Sequence, residues 1–531
     1  MLNLLLFSCA RVGAPNGGTR DSLAPKFLGS NIDTTRLNVS RTVKELRLDF
    51  DEYVMLKDFN KNFNVSPPIK KIKKVIPSNL ANKYVLIQWE DTLQANTTYN
   101  FNFGNAIVDN NESNPLPYFN FAFSTGDKID DLFVSGTVKD AMTLIKENQT
   151  AKDNKMVVGL YKAGENLDYK QKPDYITKVD EENYFELNFL PKGEFVIIAF
   201  DDENQNSVYD AGKEKVSFLK EKITLDSTSV RGLKLKLYPS KKVVKYKESK
   251  AINGGLLMTF EGNPETVDVK SLSEELKDFK VTHAKRSDSV NIWFDAEKSN
   301  LGGTVSKQLK LSYFTPTISD TISVSYKAVK DEFKLSNEAG NLIAPENNFV
   351  INTSLPIENL NTSSWKLESD SIAQDFTAKV SEKNPFKILV NSSFKPTKKY
   401  VLTIPKETVS SYYSSNDKSF QFQFEIDKPE NYGSFTAVIK NKPTAKFWVE
   451  LTNEKGEILY SQFTNASEVS FKNLKPATYI ARIRVDNNGN GFWDEADFAQ
   501  NIAAEDVYIF EKEINVRPLW EIKEDWELIN H

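Results

Sequence analysis

Apolar and polar residues alternate along most of the chain. Leu46, Leu48 and Phe50 are separated by Arg47 and Asp49, and Tyr99, Phe101 and Phe103 by Asn100 and Asn102. Phe119, Phe121 and Phe123 continue the same two-residue period. Successive side chains of a strand point to opposite faces, so this period predicts strands with one buried and one solvated face. Turn-forming clusters such as Asp109-Asn110-Asn111-Glu112 flank these runs and stay out of them. The pattern predicts an all-β chain of antiparallel sandwiches. Only the stretch from Lys270 to Phe279 reads as a short helix.

A chain of 531 residues exceeds what one hydrophobic core can organise, so several domains are expected. An internal repeat orders them. Leu190 to Asp210 aligns with Leu474 to Asp494 at a constant offset, pairing Asp-Asp-Glu-Asn-Gln-Asn-Ser-Val-Tyr-Asp with Val-Asp-Asn-Asn-Gly-Asn-Gly-Phe-Trp-Asp. A weaker echo links Tyr99 to Asp109 and Phe119-Asn-Phe-Ala-Phe with Tyr400 to Val409 and Phe420-Gln-Phe-Gln-Phe. The chain therefore reads as two related halves, each an Ig-like sandwich followed by a second sandwich. The expected boundaries are 26–127 and 128–242 for the first pair, and 330–428 and 429–531 for the second, the last with a C-terminal tail. An additional β domain, 243–329, lies between them.

Particular residues resemble known families. Leu48-Asp-Phe-Asp-Glu-Tyr-Val54, Leu93-Gln-Ala-Asn-Thr-Thr-Tyr99, Gly104-Asn-Ala-Ile-Val-Asp109 and Phe123-Ser-Thr-Gly126 resemble the bacterial Ig-like domain of Bacteroidota lipoproteins and S-layer-type proteins. Val134-Ser-Gly-Thr-Val-Lys-Asp140 and Tyr184-Phe-Glu-Leu-Asn-Phe-Leu190, with the repeated segment, resemble prealbumin-like domains of the carboxypeptidase-regulatory type. The resemblance implies tandem Ig-like and prealbumin-like folds in duplicate. It implies no activity.

The N-terminus resembles a bacterial lipoprotein signal. Met1-Leu-Asn-Leu-Leu-Leu-Phe-Ser8 is a short apolar run ending in a small residue before Cys9. Residues 1–8 are then a signal peptide, Cys9 carries the lipid, palmitate included, and 9–25 form a flexible tether. The tether Pro15-Asn-Gly-Gly-Thr-Arg-Asp-Ser-Leu-Ala-Pro25 resembles the leader of the same lipoprotein group. No Lys or Arg precedes the apolar run, so the natural start codon is expected upstream. The resemblance implies an outer-membrane location. Ala10-Arg-Val-Gly13 lacks the acidic stretch of surface-exported lipoproteins, which leaves the periplasmic and cell-surface faces both open.

The repeated loops carry the sharpest candidate chemistry. Asp486, Asn488, Asn490, Gly491, Asp494 and Asp497 occupy positions one, three, five, six, nine and twelve of a calcium-loop template. Alternate oxygen ligands let a loop wrap a hard cation, and Gly permits the sharp turn. The first copy offers Asp202, Asn204, Asn206 and Asp210, with Ser207 for Gly and Lys213 at position twelve beside Glu214. Calcium is thus the one candidate cofactor, against a plain turn held by Asx hydrogen bonds.

Composition narrows the remaining classes. A net charge of −5 with interspersed signs announces no basic face, which argues against nucleic acid. With only His283 and His531, and one cysteine, neither a nucleophilic triad nor a zinc site is marked. Trp89, Trp293, Trp365 and Trp448 are expected in cores, and Trp520 and Trp526 are expected to staple the C-terminus. Asp-Ser/Thr triplets resemble the periplasmic O-glycosylation signal of Bacteroidota, with Ser22, Thr34, Thr92, Ser227, Ser289, Thr321 and Ser371 as acceptors. The leading expectation is a non-catalytic, lipid-anchored envelope scaffold whose partners are the membrane and an outer-membrane β-barrel or other envelope proteins. A surface glycan-binding lipoprotein is the alternative, and a hydrolase ranks last.

Overall fold

The computed structural model describes residues 21–144, 155–164, 167–329, 332–338 and 340–528. The signal stretch, Cys9, the tether to residue 20 and His531 lie outside the described residues. The chain is a string of β-sandwiches built around five hydrophobic cores. It divides near residue 237 into two compact units.

The first unit opens with an Ig-like sandwich. One sheet orders its strands Phe27–Ser30, Glu45–Leu56, Asn82–Trp89, Ile72–Ile76, and the other Asn64–Ser66, Thr98–Gly104, Phe119–Ser124. Leaving aside the short strand Ile107–Asp109, this is the four-plus-three arrangement of the Ig sandwich. The two-residue period explains it, because Leu46, Leu48 and Phe50 from one sheet meet Phe101, Phe103 and Phe121 from the other, all buried. The second sandwich packs Tyr184–Leu190, Leu132–Asp140 and Val230–Leu237 against Tyr175–Lys178, Met156–Lys162, Gly193–Asp201 and Val216–Phe218.

The second unit repeats both designs. Its last sandwich packs Glu468–Leu474, Gly433–Lys440 and Glu521–Glu527 against Ile458–Thr464, Phe447–Thr452, Ala477–Val485 and Val507–Val516, the same order strand for strand. The sandwich before it runs Leu335–Asn337, Phe349–Thr353, Asn384–Ser392, Phe376–Ser381, matching the first Ig-like sheet. A local detail repeats too: Tyr99 Oη accepts the Gln94 N–H and Tyr400 Oη the Lys395 N–H, each at 2.8 Å.

Residues 243–329 belong to the same design. Lys245–Ile252, Gly255–Glu261, Ser289–Trp293 and Lys280–His283 form one sheet, and Asp268–Ser271, Lys307–Phe314 and Ser319–Tyr326 the other. Counted along the segment, the order is again first, second, fifth, fourth against third, sixth, seventh. The expected helix over Lys270 to Phe279 does not form. Lys270 and Ser271 pair with Ser312 and Leu311, and Ser271 Oγ then accepts the Ser273 N–H in a side-chain turn that buries Leu276. Local serine hydrogen bonds offer the backbone an alternative to the helix, and here strand pairing fixes the choice.

The tryptophans divide. Trp89, Trp293 and Trp365 are buried in cores, and Trp526 enters the last core because its strand pairs in parallel with Gly433–Lys440. Trp448 does not: it faces outward, stacked on Phe463 at 4.4 Å. Its neighbours Phe447 and Val449 are the buried ones, so the period placed the ring on the solvent face. The Trp520 ring is also exposed, under Arg517, and it is the residue's carbonyl that ties the C-terminus back, accepting the Ser434 N–H at 2.8 Å.

Phe349 is fully buried and stacks on Phe424 from the opposing sheet at 4.1 Å. Phe349→Ala should destabilise that sandwich by about 3–5 kcal/mol, the cost of lost burial plus a cavity. Urea unfolding of the full chain measures it. A loss under roughly 1 kcal/mol would mean that this contact does not hold the sheets together.

Candidate functional site

Both repeated loops follow the long central strand of the second sandwich in each half, Gly193–Asp201 in one copy and Ala477–Val485 in the other. The strand ends where Asp202 and Asp486 turn their buried side chains back on the loop. Asp202 accepts backbone N–H groups from Asn206 at 2.9 Å and Ser207 at 3.0 Å. Asp486 accepts the equivalent Asn490 and Gly491, both at 3.0 Å. Asn204 and Asn488 then accept the same Asn206 and Asn490 N–H groups, and Asn206 and Asn490 accept Val208 and Phe492. The loop backbone is thus paired by its own side chains, as Asn and Asp favour.

Asp210 and Asp494 close each ring. Asn204 Nδ2 donates to Asp210 at 2.6 Å, and Asn488 and Asn490 donate to Asp494 at 2.5 and 2.8 Å. A further carboxylate lies beneath. Glu214 accepts the Glu203 and Asp210 N–H groups, and Glu505 accepts those of Asn488 and Asp494. Both glutamates are almost fully buried. Asp497, expected at position twelve, lies outside the ring: it bridges to Ile502 and accepts the Gln500 N–H. The chain inserts this small turn before Glu505, so a fixed-spacing template misses the residue that does the closing. A gapped alignment of Glu214 with Glu505 would have found it.

The electrostatics of the loops differ. Burial pushes the Glu214 carboxyl up to about 7; nearby Asp202 and Asp210 push the same way, and the two backbone N–H groups oppose them. Burial likewise raises Glu505. Burial also pushes Asp494 up, but Asn488, Asn490 and the Arg286 guanidinium at 2.7 Å outweigh it and hold its carboxyl below the usual range. Ser207 sits at φ 62 where the second copy has Gly491 at φ 81, so the first copy holds a side chain in a left-handed backbone. Among the described residues, no group of three His, Cys, Asp or Glu gathers as a metal cage. Each loop offers three carboxylates, Asp202, Asp210 and Glu214 or Asp486, Asp494 and Glu505, together with two asparagine amides.

The other expected sites are scattered. His283 ends a strand and its Nε2 meets the Ser287 carbonyl at 3.0 Å. Ser22, Thr34, Thr92, Ser227, Thr321 and Ser371 are exposed, and Ser289 is half-buried. No helix among the described residues is long and apolar enough to cross a membrane.

Residues 21–125 match the family model of the bacterial Ig-like domain, so the chain contains such a domain. No curated protein matches it. Among solved structures, domains 1–6 of the surface layer protein SbsC are similar at 12% identity, covering 93% of this chain and 67% of that one, with a TM-score of 0.16. The Bacteroides ovatus mixed-linkage glucan utilization locus protein SGBP-B is similar at 9% identity, covering 73% and 94%, with a TM-score of 0.20. TM-scores this low carry no inference about function.

The raised Glu214 carboxyl has a consequence for stability. Its folded value near 7 lies above the ordinary 4.5, so the folded state holds the proton more tightly. Stability should therefore fall as pH rises between those values, and Glu214→Gln should flatten that fall. Thermal melts in chelator across the window test it. Parallel wild-type and variant curves would refute the assignment.

Proposed function

We propose that this chain is a lipid-anchored protein of the bacterial outer membrane that acts without catalysis, as a scaffold of sandwich modules offered to other envelope components. The observation that carries the reading is the duplicated run of sandwiches, each with its own aromatic core, in a chain containing a bacterial Ig-like domain. Leu6-Phe-Ser-Cys9 supports the anchor, and Cys9 is the sole cysteine. Each buried acyl CH₂ contributes roughly 0.8 kcal/mol, so several chains on one cysteine hold a protein firmly. Expressed with its natural leader in a bacterial host, the wild type should fractionate with membranes and carry acyl mass at Cys9. Cys9→Ser should move it to the soluble fraction. Wild-type protein without added acyl mass would end the lipoprotein reading.

Calcium binding is a second reading, and the contrast between the loops favours the first copy. Asp202, Asn204, Asn206, Asp210 and Glu214 are hard oxygen donors of the kind calcium takes. In the second loop Asp494 already has a cation from the chain itself, Arg286. The cation would hold Glu214 ionised and draw the first loop tighter. Calorimetry with calcium on the full chain should give heat that Asp202→Asn removes and Asp486→Asn largely spares. No heat, or heat removed only by Asp486→Asn, would overturn it.

A further inference from the structure

A strand at the edge of a sheet presents unpaired backbone groups, and proteins blunt such edges with charge, brevity or a covering segment. This protein does so repeatedly. Val230–Leu237 carries Lys234 and Lys236, and Lys245–Ile252 carries Lys245, Lys247 and Lys250. Phe119–Ser124 has no charge, but its free side is closed by backbone bonds with Arg36 and Val39. Among the described edge strands of six or more residues, only Ile458–Thr464 has neither a charge of its own nor a covering segment, and its one irregularity is a β-bulge that leaves Leu459 out of the pairing with Phe447–Thr452.

That strand reads Ile-Leu-Tyr-Ser-Gln-Phe-Thr, seven residues without a charge, paired on one side only, with Phe447–Thr452. Ile458 is 46%, Leu459 49% and Phe463 44% exposed. Among the described residues, no other strand holds more than one exposed large apolar side chain. Phe463 extends the patch inward by stacking on Trp448. Behind it, Glu450 is fully buried and bonded to Arg482 and Arg484, so the charges of the adjoining row are paired within the sheet.

The duplicate domain supplies a comparison. Its equivalent edge, Tyr175–Lys178, is short and largely buried, and the Ile176 N–H donates to Ser66 Oγ of the neighbouring Ig-like sandwich at 3.3 Å. In the first copy, then, a neighbouring sandwich covers this edge.

We infer that Ile458–Thr464 is the pairing edge of a homodimer, taking the same strand of a second copy in antiparallel register about Ser461. The strand is complementary to itself in that register. Leu459 falls opposite Phe463 and Phe463 opposite Leu459, on the face that carries Trp448, while Tyr460 meets Gln462 twice. Within the strand no like charges are brought together, and the nearest cation, Lys446, lies over the Phe463 ring at 5.6 Å from its centroid. Two four-stranded sheets become one of eight, with backbone bonds supplying affinity and the apolar pairs the register.

The test uses the full chain with Cys9→Ser, so that acylation plays no part and the result is independent of the lipoprotein reading. Sedimentation velocity from micromolar to millimolar concentration should show a reversible dimer. Leu459→Lys with Phe463→Lys sets like charges opposite each other and should weaken it at least roughly tenfold while the far-UV circular dichroism of the fold stays unchanged. Leu459→Lys with Phe463→Glu should restore it, because each lysine then faces a glutamate of the other copy. Ser461→Cys, self-opposed at the two-fold, should cross-link under mild oxidation far faster than Ser363→Cys, exposed on the preceding sandwich. A monomer throughout the series, a Lys/Lys variant that still dimerises, a Lys/Glu variant that does not recover, or cross-linking no faster than the control would each overturn the proposal.

Discussion

Each module of this protein depends on one interaction, the burial of alternate side chains between two facing sheets. The sole cysteine removes any disulfide within the chain, so sheet-on-sheet packing must hold every sandwich. Aromatic rings do much of it. Trp89 and Phe101 meet across the sheets at 5.5 Å in the first sandwich, Tyr246 and Tyr313 at 5.8 Å in the third, and Phe349 and Phe424 at 4.1 Å in the fourth. Rings bury large areas with few rotatable bonds, so they suit cores that have no covalent help.

The same dependence dictates how loops and edges are built. A sandwich leaves its loops outside the core, where their backbone groups find no ladder. The repeated loops supply partners from their own Asp and Asn side chains and from a buried glutamate, Glu214 or Glu505. Sinking a carboxyl beneath a turn opposes its ionisation, as the upward shift of both glutamates shows. Arg286 offsets part of the charge in the second copy by binding Asp494. The two loops therefore share a hydrogen-bond pattern and differ in electrostatics.

Much of this was legible from residue order alone, for a physical reason. A period of two and a repeated Asp/Asn loop are local signals, and they identified the strands, the sandwich class and the duplication. Features set by partners distant in sequence were harder to read. The segment 243–329 shares the Ig-like strand order but lacks the Tyr99 and Tyr400 corner, and its first strand is mostly polar, so only pairing reveals the kinship. Trp448 could not be assigned a face by its size. The register of its strand decided, setting it opposite Phe463 and Arg484 on the outer side. Glu505 escaped because an inserted turn carried it beyond a fixed template.

Duplication makes these differences informative. Two copies of one sandwich keep the same strand order and the same loop, so what changes between them is under a separate constraint from folding. The first copy ends its outer strand early, at Lys178, and lies under a neighbouring sandwich. The second lengthens that strand to seven residues, strips it of charge and turns Leu459 and Phe463 outward. Packing within the domain accounts for Tyr460, against the core, and for Phe463, stacked on Trp448, but not for the exposed Ile458 and Leu459. A long, uncharged, apolar edge is a hazard to a protein that must stay single. Its presence beside a well-blunted set of edges is accounted for when it has a partner of its own shape.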